Sequence, residues 1–424
     1  MSTTVLPTSP SAAGATRPAA EGSLGRSGRH AVGTWAIAYA FLVVMAFSAV
    51  PTPLYVLYQA RDGFSSLTVT LIFGVYAVGV ALSLFLVGHL SDRHGRRAWT
   101  LFAVGVNLVA AAIFLASAAL PALLVARFLG GLGVGALTAT ATAWIAELDG
   151  RGRPGGSPRR AQAIATAANL GGIGFGPLVG GVLAQWVSGP LTTPYVVFLV
   201  LLGIALVAVL ATPETRERLR PAPRYRPQRV AVPPEGRSAF AAAATAAFVA
   251  FGLMGLFNSL APAFLGGTLH HHSRALAGLA SFLVFAAAAG AQIAAADAAP
   301  GRVLRIGLSL MVVGPLLLVA AVWIPSLPVF LLGGMTSGVG AGLIVKGSLG
   351  TAALLAAPEQ RAEALAGIFL AGYIGLAVPV VGLGLLTQEL AADLSLTIFA
   401  AALIAGVAVT SSLLLGARRA PDAA

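Results

Sequence analysis

Two cations frame what this chain can do. Arg127 and Lys346 each fall inside a long apolar run, while none of the fourteen acids lies in the middle of one. A cation at mid-bilayer costs roughly 2.5–3.5 kcal/mol or more, so each must reach a wet cavity, a partner or the lipid headgroups. Arg127 therefore faces a cavity or partner, or else snorkels to an interface. Lys346 either snorkels too, or serves a cavity as a cationic anchor or proton carrier. A cavity holding these cations and no buried carboxylate repels permanent cations, which points to a neutral or anionic amphipathic substrate. Tyr39, Tyr76, Asn169, Asn258 and Tyr373 are polar or amphipathic groups within the runs, each also suited to a helix–helix hydrogen bond.

Other chemistries find no residues to carry them. The chain has no cysteine, which excludes disulfides, thiolate metal sites and a cysteine nucleophile. Its one lysine follows Val345, so there is no Gly-Lys-Ser/Thr phosphate loop. His270, His271 and His272 are adjacent in a polar connection and cannot readily converge on one ion, so they read as a solvated loop. His89 and His94 flank Asp92 and read as headgroup contacts. The runs hold no paired carboxylates, metal cluster or nucleophile–base set, so an enzyme is disfavoured and neither metal nor cofactor is expected.

The elements that position these residues are membrane spans. The 424 residues are 58% hydrophobic and 9% charged, with a mean hydropathy of +0.89. Soluble domains carry roughly 25% charged residues. The apolar runs approach the ~20 residues of a membrane helix and do not alternate as barrel strands would. Twelve are expected, at 34–58, 66–87, 98–119, 122–146, 161–187 and 195–211 in a first half. The second half places them at 239–265, 275–296, 303–323, 327–356, 362–386 and 394–415. The fold class is therefore an all-α membrane protein with two pseudo-symmetric six-helix halves, 34–212 and 239–415. Residues 1–33 read as a disordered tail, 213–238 as a linker with seven arginines, and 416–424 as a second tail. The net charge of +12 does not imply nucleic acid, because the basic residues punctuate the runs instead of forming a basic domain.

Arginine sets the orientation. The tails and the even-numbered connections hold 22 of the 26 basic residues, and the opposite connections hold only Arg61 and Arg274. Both termini are therefore expected in the cytoplasm. The halves also echo each other. Phe128-Leu129-Gly130-Gly131 recurs as Leu331-Leu332-Gly333-Gly334, Pro177 and Gly180 recur as Pro379 and Gly382, and Asp92 has a faint echo in Asp297.

Two glycine-bearing segments complete the pattern. Gly88-His89-Leu90-Ser91-Asp92-Arg93-His94-Gly95-Arg96-Arg97 joins spans 2 and 3. Gly95 permits a tight turn and Asp92 can cap a helix start. In span 5, Gly172, Gly176 and Gly180 form a smooth stripe, Gly181 follows, and Pro177 removes a backbone hydrogen bond. In span 1, Pro51 and Pro53 either weaken the helix or end it early.

Gly88, Asp92, Arg93, Gly95, Arg96 and Arg97 resemble the loop between helices 2 and 3 of the major facilitator superfamily of secondary transporters. The Gly-Pro-x-x-Gly-Gly core at 176–181 resembles the helix-5 motif of its proton-coupled drug exporters, although Ala163 stands where a glycine is usual. Arg127-Phe128-x-x-Gly131 resembles its helix-4 motif, whose arginine is implicated in coupling. The resemblance implies alternating access, with the Asp92 loop latching the cytoplasmic side and span 5 acting in gating. It implies export against protons, by a monomer in the cell membrane, of a small molecule touched by Arg127, Lys346, Tyr39, Tyr76, Asn169, Asn258 and Tyr373. A metabolite facilitator or importer, or a lipid flippase on the same fold, is the alternative.

Overall fold

The computed structural model describes residues 19–87, 91–153, 155–216, 236–357 and 360–419. Among them there is no strand, and twelve helices are long and apolar enough to cross a membrane. In the first half these are α1 (Ala19–Ala49), α2 (Ser66–Val87), α3 (Arg96–Ala116), α4 (Leu120–Gly152), α5 (Pro158–Trp186) and α6 (Thr193–Ala211). The second half holds α7 (Arg237–Ser259), α8 (Arg274–Ala294), α9 (Pro300–Trp323), α10 (Leu327–Leu355), α11 (Arg361–Glu389) and α12 (Ala392–Arg419). The even connections emerge at one end of the bundle, called here the basic end, and the odd connections at the other.

The halves pack in the same way. α5 lies between α1 of its own half and α8 of the other, and α11 lies between α7 and α2. One apolar core runs through both halves. The outer faces present large apolar side chains such as Val78, Val125, Val200, Leu316 and Val378, as a lipid-facing surface requires. Trp35 near the basic end, and Trp186 and Trp323 at the other, are exposed where the aromatic belts of a membrane protein sit.

Two matched breaks shape the end opposite the basic one. α1 stops at Ala49, and a 3-10 turn (Thr52–Leu54) and a short helix (Tyr55–Asp62) follow. Pro51 and Pro53 each withhold a backbone donor, so the α-helical ladder cannot continue through them. α7 stops at Ser259 and resumes as a short helix (Ala261–Gly267), with Pro262 in its first turn where the missing donor is harmless. The breaks meet: Thr52 Oγ1 donates to the Asn258 carbonyl at 2.9 Å.

Helix starts and ends depart from expectation where polar residues extend an apolar run. The tail expected over residues 1–33 is shorter, because α1 is helical from Ala19. Ser27 Oγ donates to the Gly152 carbonyl at 2.7 Å, anchoring the extension on the end of α4. α4 continues to Gly152 and α12 to Arg419. Most of the expected linker (217–235), the first eighteen residues, the last five and Gly88 lie outside the described residues.

Candidate functional site

A cavity of about 1320 Å³ lies between the halves. Its wall runs from Ser48, Tyr76, Asn258 and Tyr373 inside the bundle to Arg159, Asp297 and Pro300 at the basic end. The opposite end is sealed by contacts between halves. Besides Thr52 with Asn258, Arg274 of α8 grips the end of α5. Its backbone N–H donates to Gln185 Oε1 at 2.9 Å and its guanidinium to the Ala184 carbonyl at 2.8 Å. Gln388 of α11 donates to Ser65 Oγ, ahead of α2, at 3.4 Å. The cavity therefore faces the basic end.

Five of the seven expected contact residues share this wall: Tyr76, Asn169, Asn258, Lys346 and Tyr373. Asn169 sits in a π-helical turn, Ala167–Gly171, that interrupts α5, a wide turn common at functional sites. Asn258 is 8% exposed, and its Oδ1 has no partner among the described residues. Tyr76 and Ser48 share a hydroxyl contact at 3.4 Å. Tyr373 meets Phe251 edge-on at 5.4 Å. Lys346 Nζ donates to the Ala296 carbonyl, just past the end of α8, at 3.3 Å.

The other two expected contacts are corrected. Tyr39 is off the wall and donates to the Leu201 carbonyl of α6 at 3.2 Å, a helix–helix bond. Arg127 is also off the wall and does not snorkel, being only 4% exposed. Its guanidinium donates to the Ser48 carbonyl, lies 4.4 Å from the Tyr76 ring centre and 5.8 Å from that of Phe73. No carboxylate among the described residues pairs with it. It thus ties α4 to the last turn of α1 and to α2, beside the sealed end, with ring faces and a carbonyl in place of an acid.

The glycine stripe of α5 has two faces where the spacing suggests one. Gly172, Gly176 and Gly180 lie against α1 at Leu42, Ala46 and Val50, and a Cβ at Gly176 would strike the Ala46 carbonyl. Gly181 lies against Arg274 and Ala275 of α8, and the Pro177 carbonyl lies against Gly278. One helix thus packs closely on its own half and on the other at once.

The loop ahead of α3 is held from an unexpected place. Glu214, just after α6, accepts the Arg96 and Arg97 backbone N–H groups at 3.1 and 2.9 Å. This carboxylate caps the positive start of α3, the role expected of Asp92. Gly95 has φ of 97°, and a side chain there would be strained and would meet Glu214 Oε2 at 2.8 Å. Arg96 is 4% exposed and donates to Ser91 Oγ at 2.8 Å and to Glu147 of α4 at 2.9 Å. Glu147 also accepts from Thr215 and from Arg216. Arg97 donates to the Thr212 carbonyl. These bonds bind α3, α4 and α6 within one half. The side chains of Asp92 and Arg93 lie outside the described residues.

The model of the Major Facilitator Superfamily matches residues 36–378. The chain belongs to that superfamily. Solved transporters share the fold across nearly the whole length. The human organic anion transporter MFSD10 (TETRAN) is 17% identical with a TM-score of 0.65, over 90% of this chain and 99% of that one. The nucleoside transporter NupG, solved as a point mutant, is 10% identical with a TM-score of 0.69 over 90% of this chain and 99% of that one. A bacterial homolog of the human lysosomal transporter Spinster, inward-facing and unoccupied, is 16% identical with a TM-score of 0.63, over 92% and 96%. A sequence search among curated proteins returns no match.

As a superfamily member the chain is a multi-pass membrane transporter, and three of its contacts were not read from its sequence. Glu147 and Glu214 stand just beyond the apolar runs, and Glu214 sits in Pro213-Glu214-Thr215-Arg216, acid and base together after a span. The third is an ion pair across the mouth of the cavity. Arg159 of α5 meets Asp297, past the end of α8, at 2.7 Å, with both side chains more than half exposed. Exposed pairs contribute little to stability, up to about 1 kcal/mol, so this one holds the mouth only weakly.

Proposed function

We propose that this transporter exports small amphipathic compounds, neutral or anionic, from the cytoplasm by alternating access, in exchange for protons. The carrying observation is the cavity wall. Arg96, Arg159 and Arg160 reach it already paired with Glu147, Asp297 and Asp149, and Lys346 reaches it with no carboxylate in ion-pair reach among the described residues. A permanent cation meets like charge on entry, and an anion is drawn in. Phe73, Phe251, Met254, Phe285 and Phe369 supply apolar surface, worth ~25 cal/mol per Å² of ligand area buried. One structural neighbour is described as an organic anion transporter, which accords with such a wall.

The arginine bias makes the basic end cytoplasmic, so the cavity loads from the cytoplasm in this state. The α5 segment resembles that of proton-coupled exporters, and its double contact with α1 and α8 suits a helix on which the halves rock. Arg127, buried beside the sealed end, is placed to feel that end open. The test is a resistance screen in an exporter-deficient host with anionic, neutral and quaternary ammonium compounds. Protection against the first two, lost in Arg127→Ala and on collapse of the proton gradient, is expected. Protection against quaternary ammonium compounds alone, or protection indifferent to the proton gradient, would contradict the reading.

A further inference from the structure

Four basic side chains reach the cavity wall, and three of them are already matched. Arg96 donates to Glu147 at 2.9 Å, Arg159 to Asp297 at 2.7 Å, and Arg160 to Asp149. Lys346 differs. No carboxylate among the described residues lies within ion-pair reach of it. Its ammonium carries three donors, and one is directed at the Ala296 carbonyl at 3.3 Å, a long bond. The carbonyls at the end of α8 carry partial negative charge, which orients the ammonium without neutralising it. Asp297, the next residue, pairs with Arg159 at 2.7 Å and is not within ion-pair reach of Lys346. An unmatched charge half-buried in a cavity wall calls for a counter-charge, and the described residues supply none here.

The same wall carries aromatic surface from both halves: Phe73 and Tyr76 from one, Phe251, Phe285, Phe369 and Tyr373 from the other. We infer that Lys346 anchors the acidic group of an aromatic organic anion, a carboxylate or sulfonate, whose rings pack on these side chains. An ammonium is a compact point charge and fixes no bidentate geometry, so it suits a site that must release as well as bind. This rests on the cavity being the substrate path, and it narrows the substrate from amphipaths in general to aromatic acids.

The absence of cysteine allows a test without knowing the natural substrate. Leu349 lies one turn from Lys346 on α10 and also lines the cavity. In Leu349→Cys, an anionic and a cationic methanethiosulfonate report the local potential through their relative labelling rates, and a neutral reagent reports access. The anionic reagent should react roughly tenfold faster than the cationic one. That preference should fall to near parity in Lys346→Met and persist in Lys346→Arg, with neutral labelling unchanged in both. 1-Naphthoate should slow labelling in the Lys346 protein, and naphthyltrimethylammonium should not. A cationic preference, an anionic preference untouched by Lys346→Met, no labelling by any reagent, or no protection by naphthoate would each overturn the assignment. Labelling requires no turnover, so an exporter of other cargo would fail here and still confer resistance.

Discussion

Arg127 shows how far a residue's surroundings depend on more than its spacing in the sequence. Its position in an apolar run implies a partner, and the structure supplies Ser48 and the ring of Tyr76. Which way it turns depends on the rotation of α4 against α1 and α2, and spacing along one helix does not encode that. Tyr39 fails for the same reason, being one helix face away from the wall. Replacing Arg127 by Met removes a buried charge and its tie to α1, so transport should fall at least about tenfold. Fluorescence-monitored unfolding should meanwhile show a folded protein, and retained transport would remove the residue from the cycle. Glu214 is the opposite case, an acid seen in the sequence and given no role. Glu214→Ala leaves two backbone donors at the start of α3 without their acceptor, costing about 1–2 kcal/mol. The thermal midpoint in detergent should drop, and an unchanged midpoint would mean that the cap is dispensable.

At the scale of the helix, apolar runs near 20 residues made the twelve spans legible, because a bilayer fixes both length and composition. Their ends were less so. The stretch from Ser27 to Gly33 and the last turn of α4 are too polar to stand out, and they become helical because they pack on each other. The repeat between halves was legible as an offset, but equal positions do not carry equal contacts. Gly180 and Gly382 correspond in sequence. A Cβ at Gly180 meets the Val50 carbonyl at 2.9 Å, whereas nothing lies within 4 Å at Gly382. Gly180→Ala should therefore destabilise by about 1–3 kcal/mol through overpacking. Gly382→Ala should be neutral or stabilising by up to about 1 kcal/mol from helix propensity. Paired thermal unfolding curves check this, and equal shifts would mean that the close approach of α1 and α5 is not as described.

For the molecule as a whole, the arginine bias predicts which end meets the cytoplasm. A cysteine replacing exposed His271 should react with an impermeant maleimide on intact cells. One replacing Arg302 should react only after permeabilisation, and the reverse pattern would invert the protein in its membrane. The cavity itself was legible only as a list of polar residues in apolar runs. The direction in which it opens depends on contacts between residues some 200 positions apart, such as Thr52 with Asn258, and no local pattern announces those.

On the proposed cycle, substrate crosses by opening the end now sealed where α1 meets α7. In the cysteine-free chain, a short reducible cross-link between Thr52→Cys and Asn258→Cys would hold that end shut. Cross-linking should stop export by purified protein in vesicles, reduction should restore it, and neither single cysteine variant should respond. Export that continues with the two breaks covalently joined would contradict that cycle.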